Sequence, residues 1–296
     1  MKSLKSTLLL LFFAIAITGC SSEDVNVVGD DVSGDTFSYT QDGQLIPVTN
    51  IVAQKSEDLI AVTAFNSDGQ TIVVQFNKYG NLREVMTYDV SDLTVPGRTS
   101  YHYYKSNYFN FELVSLDETA KTVSVTFSGK LYNDKYDITS DFSTVDGTFT
   151  VSYMDVTPQI PGMQVSAKIN GTQWRATETG DSSGGFFSED NITLYASNDS
   201  PYTISTIINH EYTEVGTYNF TNSSASNKLE LSVFETETLN DISFATTSGT
   251  LKITGKTVGA LTTTIEGTFS FTAFNPFTQT SIRVTDGVFK RVYINY

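Results

Sequence analysis

The sequence predicts an all-β protein: two tandem antiparallel β-sandwich-like domains that follow a cleaved signal helix and a flexible tether. Three observations carry that expectation. Apolar residues alternate with polar ones over short runs, glycine-containing turn pairs separate the runs, and similar short strings recur in the two halves of the chain.

At the N-terminus, Lys2 and Lys5 precede an unbroken apolar run from Leu8 to Ile17. Such a run rises only about 15 Å as a helix, roughly half of a hydrocarbon core, so it reads as a processing signal and not as a resident span. The residues Ile17-Thr18-Gly19-Cys20 resemble the lipobox of bacterial lipoproteins, in which an aliphatic and two small residues precede the lipid-bearing cysteine. The resemblance implies a signal peptide over 1–19 and a mature protein that begins at a lipidated Cys20. The expected partner is therefore a membrane, reached through acyl chains that contribute about 0.8 kcal/mol per buried methylene.

The full chain carries 18 basic and 33 acidic residues, a net charge of −15. Loss of Lys2 and Lys5 with the signal leaves 16 basic against 33 acidic residues, or −17. A surface so acidic disfavours nucleic acid, whose recognition needs neutralised phosphates. Cys20 is the sole cysteine, so disulfides, thiolate metal sites and a cysteine nucleophile are all excluded from the mature chain. Residues 20–36 are rich in Ser, Asp, Gly and Val without apolar periodicity and read as a flexible tether. Ser21-Ser22-Glu23-Asp24 resembles the acidic signal that directs Bacteroidota lipoproteins to the cell surface.

Beyond the tether, Val123, Val125 and Phe127 alternate with Thr122, Ser124 and Thr126, and Phe269, Phe271 and Ala273 with Thr268, Ser270 and Thr272. A period of two places the apolar side chains on one face of a strand and the hydroxyls on the other. Phe109 to Leu113 and Leu229 to Val233 repeat the pattern. Asp42-Gly43, Asp68-Gly69 and Asn170-Gly171 read as hairpin turns, where glycine accepts a positive φ. One helical turn is expected at Ser56–Ile60.

Ser128-Gly129 recurs as Ser248-Gly249, and Asp146-Gly147-Thr148-Phe149 as Glu266-Gly267-Thr268-Phe269, at a constant offset. Upstream, Phe37-Ser38 with Asp42-Gly43 and Ile46 parallels Val165-Ser166 with Asn170-Gly171 and Trp174, and Ile60 to Asn66 parallels Ile192 to Asn198. The two prolines of Asp155 to Gly162 cannot donate ladder hydrogen bonds. These features place a first β-sandwich domain at 37–154, a linker at 155–162 and a second β-sandwich domain at 163–296.

The run Val165 to Ala176, which contains Asn170-Gly171 and Trp174, with Gly249 to Thr254, Ile265 to Phe271 and Thr285-Asp286-Gly287 with Phe289, gives the second half a resemblance to a domain of Bacteroidota lipoproteins of unknown function. The resemblance implies an all-β fold in an exported lipoprotein and brings no activity or functional residue.

Chemistry-bearing motifs are sparse. Gly180 to Gly185 resembles a serine-protease nucleophile loop only superficially, and neither His102 nor His210 lies in that family's histidine motif. The two histidines offer no ligand spacing, and the acidic turns form no alternating calcium loop, so no metal or cofactor is expected. Aromatics are the binding candidates: Tyr101, Tyr103 and Tyr104 in the first half, Trp174, Phe186 and Phe187 in the second. Exposed rings stack on sugars or anchor a protein partner, although a strand aromatic ordinarily packs into the core. The expectation is a non-enzymatic lipoprotein of the outer membrane, on its periplasmic face or at the cell surface, that binds a glycan or an envelope protein. The alternatives are a hydrolase with a dispersed carboxylate pair and a purely structural envelope protein.

Overall fold

The computed structural model describes residues 34–295 apart from 93, 95, 184–190, 210, 211 and 222–224. The signal peptide, Cys20 and most of the tether lie outside the described residues, as do Phe186, Phe187 and His210.

Strict alternation becomes strands in the order of the chain. The first set is β1 (Thr36–Gln41), β2 (Gln44–Ile46), β3 (Asn50–Ser56), β4 (Leu59–Phe65), β5 (Gln70–Asn77) and β6 (Leu82–Asp89). It continues with β7 (Arg98–Ser100), a one-turn helix α1 (Lys105–Tyr108), β8 (Phe109–Asp117), β9 (Thr122–Tyr132), β10 (Phe142–Ser152) and β11 (Met154–Asp155). The second set is β12 (Gln164–Ile169), β13 (Thr172–Arg175), β14 (Glu178–Ser183), β15 (Asn191–Ser197) and β16 (Tyr202–Asn209). It ends with β17 (Gly216–Phe220), β18 (Lys228–Glu235), β19 (Asn240–Val258), β20 (Thr262–Asn275) and β21 (Thr280–Ile294).

Two sheets result, an 11-stranded one from β1–β11 and a 10-stranded one from β12–β21. Every ladder is antiparallel except the short β11–β3 pair. Along the first sheet the order is β2-β1-β10-β9-β7-β6-β5-β4-β3-β11, with β8 also on β9; along the second it is β13-β12-β21-β20-β19-β18-β16-β15-β14, with β17 also on β19. Nine strands of each sheet thus follow one another in the same spatial order. The correspondence matches β1 with β12 and β4 with β15, as the upstream sequence parallels predict, and it matches β10 with β21. It does not match the downstream strings, because Gly129 lies on β9 whereas Gly249 lies on β19, the counterpart of β7. The true partner of Asp146-Gly147-Thr148-Phe149 is Asp286-Gly287-Val288-Phe289 on β21. The constant offset read from the sequence is shifted by one strand.

Each sheet curls over its own core. Phe76 on β5 and Phe149 on β10 are four strand steps apart, about 19 Å in a flat sheet at about 4.8 Å per step, yet their ring centroids lie 6.4 Å apart. In the second sheet, Arg291 on β21 donates to the Tyr195 carbonyl on β15 at 2.8 Å and to Gly180 O on β14 at 2.6 Å. Burial pulls the guanidinium down to about 10. Each sandwich-like half is therefore one continuous sheet folded on itself, with separate cores around Phe37, Phe76, Phe127 and Phe149 and around Trp174, Phe269, Phe271 and Phe289.

The turns obey the expected chemistry. Asp42-Gly43 and Asn170-Gly171 have φ of 51° and 77°, and 48° and 84°, and close the β1–β2 and β12–β13 hairpins. The helical turn expected at Ser56–Ile60 is instead a hairpin in which Ser56 pairs with Leu59 and Glu57 takes φ 53°. Pairing of β3 with β4 over seven registers outweighs the weak local preference of Glu57-Asp58.

Candidate functional site

The register of four neighbouring strands builds the most developed open feature. Ser38 on β1 faces Thr148 on β10, which faces Thr126 on β9, which faces Glu112 on β8. One row on, Thr40 faces Asp146, then Ser128, then Asn110. These eight side chains point away from the core, because the intervening residues Tyr39, Phe127 and Phe149 point into it. All eight line a groove of about 560 Å3, walled at one end by Leu82, Ser106 and Asp199. Tyr39, Phe109 and Phe127 also border it, yet they are only 3–4% exposed and their rings belong to the core, whereas Phe111 borders it half-buried beside the hydroxyls, amide and carboxylates of the open face. Burial pushes the Tyr39 phenol up to about 12, in keeping with that orientation.

The wall of the groove is the seam between the sheets. Asp199 accepts from Asn81 Nδ2 and from Leu82 N, both at 3.1 Å, and its carbonyl accepts from Ser106 N and Oγ at 2.9 Å. Burial raises the Asp199 carboxyl above the usual carboxylate range, against the pull of those hydrogen bonds. Next to it, Lys105 Nζ, on a side chain only 2% exposed, meets Glu178 Oε1 at 3.0 Å and donates to the His102 carbonyl at 2.7 Å. Burial alone would raise Glu178, but the charge and hydrogen bond of Lys105 hold it below its usual value. His102 Nδ1 lies 3.5 Å from Glu178 Oε2 and makes no hydrogen bond. Burial lowers this imidazole to about 4, so near neutral pH the contact is not an ion pair.

The aromatic candidates separate. Tyr101 is 3% exposed and forms a small core with Tyr132 and with Phe234 of the second sheet. Tyr103 is half-buried and stacks on Phe234 with centroids 5.0 Å apart and rings 1° from parallel. Tyr104 is half-buried and caps α1 from a left-handed conformation, φ 42°. Trp174 is 4% exposed inside the second core, where its Nε1 has no partner. The first three therefore gather at the seam, and Trp174 stands apart from them. Sequence reasoning missed the groove. Its one available signal was the hydroxyl-bearing face of Thr122, Ser124 and Thr126, which becomes a surface only when three further strands supply their own rows. Among the described residues, no group of three His, Cys, Asp or Glu side chains is placed to hold a metal ion, and no helix is long and apolar enough to cross a membrane.

Residues 161–293 match a domain of unknown function, DUF6252. No curated protein matches the chain. Among solved structures, the chain is similar to a tryptophan-to-alanine mutant of the vaccine antigen Transferrin Binding Protein B from Haemophilus parasuis. The identity is 9% and the TM-score 0.20, with 79% of this chain and 66% of that one covered. The chain thus spans slightly less than two thirds of that protein, and so low a score leaves its function to be argued from its own residues. The DUF6252 segment contains Glu178, Asp199 and Phe234, and so supplies one side of every seam contact described above. It contributes only the Asp199 wall to the groove, whose floor lies between residues 38 and 148.

Proposed function

We propose that the protein is a non-enzymatic envelope lipoprotein, held at the outer membrane through Cys20, that presents two tandem β modules at 37–154 and 163–296, joined at 155–162. Its ligand, a glycan or an envelope protein, enters the groove across β1, β10, β9 and β8. The observation that carries this reading is the groove itself: about 560 Å3, inside the range of about 300–1,000 Å3 typical of ligand sites. An outward face of hydroxyls is otherwise the ordinary solvated side of an antiparallel sheet, and concavity is what separates this one from it. Binding of envelope glycans and extracts to the Cys20→Ser chain tests the reading; retention of ligand by the wild type and its loss on filling the groove is the expected result. Membrane fractionation of the same variant tests the anchor, and persistence with the membranes would refute it.

A hydrolase remains the second reading, because Glu112 and Asp146 open onto the same groove. Their positions differ by two strands and one row, which places the α-carbons about 12 Å apart on an ideal sheet. Carboxyl pairs of inverting glycosidases lie about 6.5–9.5 Å apart, so the two side chains would have to lean toward each other. Incubation of bound oligosaccharide with the protein is expected to release no shortened product.

A further inference from the structure

Resting on that placement of the site, we propose that the groove takes an uncharged or amine-bearing oligosaccharide laid across the four strands, and that it rejects anionic chains. Small-molecule pockets are in general lined mainly by hydrophobic side chains with a few placed polar groups. Here the open face holds five hydroxyls, from Ser38, Thr40, Thr126, Ser128 and Thr148, with the amide of Asn110 and the carboxylates of Glu112 and Asp146. Hydroxyls donate and accept at once, and carboxylates accept from adjacent hydroxyls or from an ammonium, so the set complements a polyol. Little of this capacity is used internally. Asn110 Nδ2 donates to Ser128 Oγ at 3.3 Å and Thr148 Oγ1 donates to Val125 O at 3.1 Å. The carboxylates of Glu112 and Asp146 make no hydrogen bond or ion pair with another described residue.

Charge decides between kinds of saccharide. The lining contains no lysine or arginine, whereas Glu112, Asp146 and Asp199 all border it. One row beyond Ser128 on the same face of β9 stands Lys130, whose Nζ sits over the Phe142 ring at 3.9 Å from its centroid. A uronate or sulfate would meet carboxylates without a compensating cation. Spacing supports the crosswise orientation: rows advance about 4.8 Å per strand, close to the advance of one pyranose in an extended chain, so successive sugars meet successive strands. A protein partner would need several rings or apolar pockets as anchors; of the rings bordering this groove Tyr39, Phe109 and Phe127 are buried, which leaves the half-buried Phe111 packed against the core.

The test is calorimetric titration of the full chain with length-matched oligomers: a neutral glucan, a glucosamine oligomer, an oligogalacturonate and an oligolysine peptide. Neutral and amino oligomers are expected to bind in the upper micromolar to millimolar range, since the contact is made of solvent-exchanged hydrogen bonds. Thr126→Arg, at an exposed position, is expected to abolish binding with an unchanged melting temperature, and Ser38→Arg to repeat the effect from a second strand. Asp146→Asn should weaken the amino oligomer about tenfold, the size of one charge-assisted bond, and the neutral one much less. If oligogalacturonate or oligolysine alone binds and Thr126→Arg abolishes it, the groove stands as the site and the ligand class proposed here is wrong. Saccharide binding that survives both arginine variants overturns the groove as the site. No binding by either saccharide at millimolar concentration overturns the inference as stated.

Discussion

Burial of His102 and the charge of Lys105 beside Glu178 set the protonation of these two seam groups in directions that a pH titration reads out. The His102 imidazole falls from 6.5 to about 4 in the folded chain, so between those values the unfolded chain binds more protons. Its contribution to stability is complete above 6.5 and is lost as the pH falls through about 4. At about 1.4 kcal/mol per pH unit the loss is on the order of 3 kcal/mol. Glu178, held below its usual value, acts in the same sense at lower pH, whereas Asp199, held above its own, contributes the opposite sign. Urea midpoints measured from pH 7 to pH 4 are therefore expected to fall, and His102→Gln to flatten the portion below 6.5. An unchanged slope in that variant would show that another group titrates there. The buried Lys105 gives a second prediction: Lys105→Met strands Glu178 and is expected to lower the unfolding free energy by about 3–5 kcal/mol, while Lys105→Met with Glu178→Leu recovers most of it. Chemical denaturation of the three variants checks the difference. None of this was readable in Tyr101-His102-Tyr103-Tyr104-Lys105, because the decisive partner sits on the other sheet and no local periodicity points to it.

Glycines facing phenylalanines in neighbouring strands are the device shared by the two sheets. Phe127 on β9 pairs with Gly147 on β10, and Phe269 on β20 pairs with Gly287 on β21, at corresponding places in the strand order. A methyl at Gly147 would meet Phe127 Cζ at 2.5 Å and Tyr39 Cβ at 2.8 Å, and one at Gly287 would meet the Phe269 ring at 2.4–2.5 Å. Gly147→Ala and Gly287→Ala are each expected to destabilise by about 1–3 kcal/mol, the usual effect of overpacking; thermal melts measure it, and a loss at only one site would deny the equivalence. Much at this scale was legible in the sequence. Val123, Val125 and Phe127 are buried as their alternation requires, and Asp42-Gly43 and Asn170-Gly171 turn as their φ preferences require. The repeat was detected but misaligned, because ring-covered glycines in similar strings stand on more than one strand of each sheet, Gly129 and Gly147 in the first and Gly249 and Gly267 in the second. Only the pairing partner tells which strand is which. Helix α1 escaped notice for a related reason: four residues between Tyr104 and Phe109 carry no period.

At the level of the molecule, a proline-containing segment without strands and a buried seam make opposite demands, and their balance decides how the halves behave. No strand runs between Asp155 and Gln164, so the backbone there is open to a protease. The seam, by contrast, joins Lys105 to Glu178, Tyr103 to Phe234, and Asp199 to Asn81, Leu82 and Ser106, and it lays Arg175 over the Tyr79 ring at 3.7 Å. Burying a lysine and a glutamate together is tolerable only while both stay in place, since either one alone would be an uncompensated charge. A nick within residues 156–161 is therefore expected to leave two fragments that co-elute on gel filtration at neutral pH and melt in one transition. Phe234→Ala, which removes the ring between Tyr101 and Tyr103, should cost about 3–5 kcal/mol and let the nicked fragments part. The groove links this behaviour to function: its floor comes from β1, β8, β9 and β10 and its wall from Asp199 across the seam. The separated first-half fragment should lose the ligand that the nicked but associated protein still holds. Fragments that drift apart without the Phe234 change would make the seam a passive contact, and ligand kept by the separated first-half fragment would make the groove wall dispensable.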